Sequence, residues 1–194
     1  MKRYIRAAVR DLSEEPKDLW EEIALESSDP YTLRQLYDCT GPGDRAFYYA
    51  LTNPNMPKDI LIKESDSPNE RIRECVAHNT NTPTEILIKL STDFARAVRG
   101  AIMLNPSTSE AILRSMLNQN YMSTAYIMEN PNAPEDILCE LAVKYPEERF
   151  RLAKNPNAPI NLLQEYIADN ENKIDYGFVN RAKDNLRARG YPVE

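Results

Sequence analysis

Glycine, histidine and cysteine are all scarce in this 194-residue chain, and each scarcity removes a class of explanation. The five glycines form no phosphate-cradling loop, and there is no glycine-x-serine-x-glycine nucleophile turn. Cys39, Cys75 and Cys139 are odd in number and widely spaced. That fits neither a disulfide framework nor a metal knuckle, so they read as reduced structural residues. No apolar run approaches the roughly 20 residues that a membrane helix needs. The opening MKRYIRAAVRDLSEEP puts charges where a secretory signal would be apolar. The expectation is a cytoplasmic protein with no membrane partner and no cofactor.

Charge is unevenly placed. Residues 1–10 carry Lys2, Arg3, Arg6 and Arg10 and no acid, and residues 176–194 carry four basic and two acidic side chains. This leaves 16 basic against 28 acidic side chains in residues 11–175, a net of −12. An acidic body repels phosphate backbones, so nucleic-acid binding by the main surface is disfavoured and basic protein surfaces are attracted.

Proline, by contrast, is plentiful: there are fourteen. The string ENPNAPEDIL returns almost unchanged as KNPNAPINLL, and aligning such strings puts Asn53, Asn79, Asn105, Asn130 and Asn155 in register, 26, 26, 25 and 25 residues apart. A period in this range marks tandem units of one small supersecondary motif. Four of the asparagines precede proline, and a second proline or a serine follows at plus four (Pro57, Pro83, Ser109, Pro134, Pro159). Aliphatic pairs occupy plus seven and plus eight, as in Ile86–Leu87, and apolar pairs occupy minus three and minus two, as in Ile102–Met103. A degenerate unit, IALESSDPYTLRQLY, precedes these, with Glu26 at the asparagine place and Pro30 at plus four.

Physically, asparagine-proline stops one short helix, because a residue before proline avoids the α region and proline cannot continue the ladder. The second proline starts the next helix in its first turn, with Asp29 or Thr82 as cap and Thr82–Glu85 as a capping box. Neither helix is long enough to stand alone, so neighbouring units must bury its apolar stripe. The reading is one all-α domain, 1–194, of short helix pairs. It comprises a basic segment 1–16, about six units of 25–27 residues over 17–175, and a basic C-terminal cap at 176–191 after a loop near ADNENKIDYG.

The stretch RIRECVAHNTNTPTEILIKLSTD (residues 71–93), with AVRGAIMLNPSTSEAILRSML after it, resembles the leucine-rich repeat variant family over about five units. The resemblance implies a right-handed superhelix, HEAT-like overall, of alternating α- and 3-10 helices. Some members of that family carry a cysteine cluster for an iron–sulfur centre; nothing in this chain matches it. The fit weakens at Ser123 and Thr124, which replace valine and arginine.

No constellation points to an enzyme. His78 stands at a place filled elsewhere by Thr52, Leu104, Glu129 and Lys154, which suits an exposed residue with no catalytic or metal role. Arg73, Arg99 and Arg149 share the minus-six place and could line up for a carboxylate or phosphate partner. Asp66 and Asp93 stand shortly before Arg73 and Arg99, so ion pairs between units are the plainer expectation. The variable places minus five and minus four hold Tyr48–Tyr49, Glu74–Cys75, Gly100–Ala101, Ala125–Tyr126 and Phe150–Arg151. Tyr48, Tyr49, Tyr126 and Phe150 are therefore candidate binding anchors, against a stacking role. The five asparagines are expected to satisfy backbone groups at the corners.

The function expected is a noncatalytic protein-interaction scaffold. The alternative is a nucleic-acid-associated module touching phosphate through its basic ends or an Arg71–Arg73–Arg96–Arg99 patch. A third reading is an acidic decoy for a nucleic-acid-binding protein.

Overall fold

A computed structural model describes Leu12 and residues 16–119, 124–170 and 177–193. Apart from Leu12 and Pro16, the basic N-terminal segment lies outside the described residues, as do Ser123 and the stretch 171–176 of the expected loop. Among the described residues every regular element is a helix. The chain divides into two compact units, Met1–Ser107 and Thr108–Glu194.

In the first unit a 3-10 turn, Lys17–Leu19, leads into α1 (Trp20–Glu26), α2 (Pro30–Cys39), α3 (Arg45–Thr52), α4 (Lys58–Glu64), α5 (Glu70–His78), α6 (Thr84–Leu90) and α7 (Arg96–Leu104). The odd-numbered helices pack side by side, α1 on α3, α3 on α5 and α5 on α7, while α2, α4 and α6 pack against α3, α5 and α7. Helix α5 illustrates the local logic. The Asn69 side chain accepts the Arg71 N–H at its start, and Ile72, Cys75 and Val76 form an i, i+3, i+4 stripe that is buried. The helix stops where Asn79 turns extended, at φ −70° and ψ 124°. Burying such a side chain contributes about 1.5–3 kcal/mol, enough to hold a nine-residue helix that is marginal alone.

The second unit contains α8 (Glu110–Asn118), a 3-10 helix Thr124–Glu129, α9 (Glu135–Lys144), a second 3-10 helix Pro146–Lys154, α10 (Ile160–Asn170) and α11 (Phe178–Ala188). Both 3-10 helices pack on α9 and on each other, and α11 closes against Pro146–Lys154 and α10. Its N-cap, Gly177, has φ +84°, a left-handed conformation that favours glycine. The expected alternation of α and 3-10 helices thus occurs here, whereas in the first unit both helices of each pair are α.

Two details correct the sequence reading. Pro57, Pro83 and Pro134 sit at the N-cap, one residue ahead of their helices, while Pro30 is itself the first helical residue. Thr82 makes no capping box: it is buried, and its hydroxyl donates to the Val76 carbonyl at 2.6 Å. Asp29 does cap α2, accepting the N–H groups of Tyr31 and Thr32.

Candidate functional site

The corners are built on their asparagines. Each asparagine Oδ1 accepts the N–H two residues on, at 2.7–2.8 Å in Asn55, Asn81, Ser107, Asn132 and Asn157. The Asn79 amide donates back to the carbonyls of Leu51 at 2.6 Å and Asn53 at 2.8 Å. Asn105 does the same to Ala77 and Asn79, at 2.7 and 3.0 Å. In the second unit Asn155 donates to Met128 and Asn130, both at 2.8 Å. All five asparagines are buried. Burial makes the ladder matter, because a corner carbonyl shut off from water needs a donor.

Asn53 donates to the carbonyls of Ala24, Leu25 and Ser27. The corner of the first pair is therefore Ser27, not Glu26. Ser27 is buried, its φ and ψ of −64° and 130° match the −67° and 129° of Asn53, and its Oγ accepts the Asp29 N–H. One residue fewer separates Ser27 from Pro30 than Asn53 from Pro57, so an alignment on prolines slips by one. At the other end Asn185, inside α11, supplies the final rung by donating to Ala153 at 3.2 Å and Asn155 at 2.7 Å.

A second, outer ladder runs through the plus-two residues. The side chains of Asn55, Asn81 and Ser107 donate to Ser27, Met56 and Thr80 carbonyls, and those of Asn132 and Asn157 to Thr108 and Pro131. Met56, Thr82, Thr108, Ala133 and Ala158, at plus three, are buried beneath it. Both columns were missed in reading the sequence, although asparagine at plus two recurs in four of five units and is a signal visible there.

The minus-six arginines serve the chain itself. Arg73 is 5% exposed and grips Asp93 with two hydrogen bonds of 2.7 and 3.0 Å, while a third reaches the Ser67 carbonyl. Burial alone would raise the Asp93 carboxyl, but the Arg73 guanidinium and the Ala95 amide hold it below the usual aspartate range. Arg99 bonds the Asp93 and Phe94 carbonyls, and Arg149 bonds the Ala142 carbonyl. Asp66 pairs with Lys89. The minus-six place thus ties a side chain to the turn or helix end before it. Within the Arg71–Arg73–Arg96–Arg99 patch, Arg71 and Arg96 are the exposed members.

The aromatic candidates are half-buried and engaged by arginine. Arg71 lies over the Tyr48 ring at 4.2 Å, Arg45 bonds the Tyr49 hydroxyl, and Arg151 covers the Tyr126 ring at 4.5 Å while pairing with Glu129 and Glu148. Phe150 packs on Phe178 of α11. Glu64, at a place held elsewhere by Leu90, Met116 and Leu141, accepts the Tyr37 hydroxyl.

Apolar side chains remain open as well. Ile62 of α4 and Ile88 of α6 occupy the same plus-nine place and are 43% and 56% exposed. Their helices are neighbours, since Lys89 of α6 bonds Ser65 at the end of α4 and Ile62 lines one groove with Thr84 and Glu85. Farther along, plus nine holds Arg114, Cys139 and Gln164. Among the described residues no helix is long and apolar enough to cross a membrane, and no three of His, Cys, Asp and Glu could share a metal ion. Compared with protein-family models, curated proteins and solved structures, the chain matches none.

Proposed function

We propose that this protein is a noncatalytic protein-interaction scaffold. Its units would be of the leucine-rich repeat variant kind, arranged as a right-handed solenoid that presents the α4–α6 face to a partner. The observation that carries this reading is the pair Ile62 and Ile88. Two β-branched aliphatic side chains lie exposed on adjacent helices at one repeat place, while the candidate tyrosines and the minus-six arginines make contacts within the chain. Lys63 and Lys89 on these helices and Asp59 and Glu85 at their starts give the face a polar rim, as interfaces have.

The test is a quantitative capture experiment with the full chain and an Ile62→Glu/Ile88→Glu variant. Both side chains are exposed, so the variant should unfold within about 0.5 kcal/mol of wild type. The proteins captured by wild type should be lost from the variant and survive nuclease treatment. Capture that is indifferent to the two substitutions would remove the α4–α6 face from the reading. Capture that vanishes with nuclease and falls steeply with salt would replace it by phosphate binding.

A further inference from the structure

Within the second unit a groove of about 370 Å³ lies between α11 and the end of the 3-10 helix Pro146–Lys154. Ala153, Pro156 and Ala188 give it apolar walls, and Lys154, Arg181 and Arg189 bring three positive charges. Among the described residues lining it the one acid, Asp184, is paired with Arg187 at 3.0 Å, and Glu129, 4.0 Å from Lys154, is shared with Arg151. On a chain of net charge −6 this is a local positive field.

Asn185 lines the same groove and differs from the corner asparagines in one respect. Its amide donates to the preceding corner as those of Asn53, Asn79, Asn105 and Asn155 do, but its Oδ1 is buried without a donor. In the five corners that oxygen always takes a main-chain N–H two residues on. Asn185 cannot copy them, because it stands inside α11, where the N–H two residues on belongs to the helix ladder. A buried acceptor without a donor is a cost that a ligand can relieve.

We propose that this groove binds an extended, carboxylate-bearing segment of a partner protein, whose acidic side chains meet Lys154, Arg181 and Arg189 and whose main-chain N–H bonds Asn185 Oδ1 once a tilt of that side chain opens the oxygen to the groove. The inference rests on the scaffold reading and adds the chemical class of one partner. The charges select acidic groups, and the ladder itself shows which donor fits an asparagine oxygen in this chain.

The probe is a dodecapeptide of alternating glutamate and alanine, titrated into the isotope-labelled full chain and followed by the Asn185 side-chain amide and the Ala153 and Ala188 backbone resonances. A saturable shift at these positions is expected, and none with the lysine–alanine counterpart. An analogue with alternate amides replaced by esters should bind about tenfold more weakly, as should the glutamate peptide to a Lys154→Glu/Arg181→Glu variant. The two basic side chains are at the surface, so that variant keeps the wild-type spectrum elsewhere. No saturable shift up to about 5 mM peptide, weaker than any useful recognition, would overturn the proposal. So would equal binding of the ester analogue, or stronger occupation of the groove by an oligothymidylate. If the peptide fails while capture still depends on Ile62 and Ile88, only the groove falls. If the peptide binds and capture ignores the two isoleucines, the α4–α6 reading falls and the groove stands.

Discussion

Asn105→Asp is the most informative single change, because it alters one functional group and leaves the shape. Asn105 is 1% exposed, and its side chain works in both directions: its amide donates to Ala77 and Asn79, and its Oδ1 accepts the Ser107 N–H. The Asn79 carbonyl also takes the Thr82 N–H, so losing Asn105 weakens it without stranding it. Asn105→Ala deprives the Ala77 carbonyl of that donor and the Ser107 N–H of its acceptor. At about 1–3 kcal/mol for each such group the cost is about 2–6 kcal/mol. Asn105→Asp keeps the bond to Ser107 but turns a negative oxygen toward two carbonyl oxygens in a site closed to water. At neutral pH it should cost at least as much as alanine. Desolvation and the facing carbonyls raise the new carboxyl's pKa in the folded state above its unfolded value, so the fold binds more protons and the variant gains stability as pH falls. Once protonated, the acid can donate to one carbonyl. Urea unfolding at pH 7 and pH 5, with the slope m checked for constancy, measures both effects. A variant that unfolds with wild type at pH 7 would show that the amide hydrogens are idle, and the ladder would lose its energetic meaning.

Ile102 is fully buried, and Ile102→Ala should cost about 2–5 kcal/mol in the same assay; a loss below about 0.5 kcal/mol would place it at the surface. Asp93→Asn leaves the buried Arg73 charge without its partner and should cost about 3–5 kcal/mol at pH 7. Because the folded Asp93 carboxyl lies below its ordinary 3.8, its stabilisation is complete above that pH and is lost as pH falls through the lower folded value. The variant's stability should therefore fall less steeply than wild type's in that acid range, and parallel curves would contradict the ion pair. Cys75 is buried, and burial, with Glu74 nearby, pushes its thiol up to about 11, whereas Cys39 is exposed. Iodoacetamide at pH 7.5 should label Cys39 in the native protein and Cys75 only on unfolding; equal rates by mass spectrometry would refute this.

Much of the frame was legible because it rests on short-range chemistry. The asparagine-proline corners, the Asp29 cap and the apolar pairs are dictated by backbone sterics and period, and the structure places helices between corners accordingly. Most of what escaped depends on partners 20 or more residues away. Asn55, Asn81 and Ser107 look like ordinary turn residues until the preceding corner is beside them. Thr82 with Glu85 spells a cap, but a buried hydroxyl prefers the Val76 carbonyl. Ser27 was hidden by one missing residue before Pro30. Asn185 was hidden because helical context masks its likeness to a corner residue. For Arg73, sequence named the class of partner, a carboxylate, whereas Arg99 bonds the main-chain carbonyls of Asp93 and Phe94. Only packing decided that Arg73 takes Asp93 across 20 residues while Asp66 goes to Lys89.

The rungs also have a direction in time. Asn53, Asn79, Asn105, Asn155 and Asn185 all donate to carbonyls that lie 25–32 residues earlier in the chain. A chain leaving the ribosome N-terminus first therefore closes each of these rungs on residues already synthesised, without waiting for sequence still to come. Within such a growing chain the corner carbonyls still waiting for their asparagine are those of the newest corner, which the next unit covers on arrival.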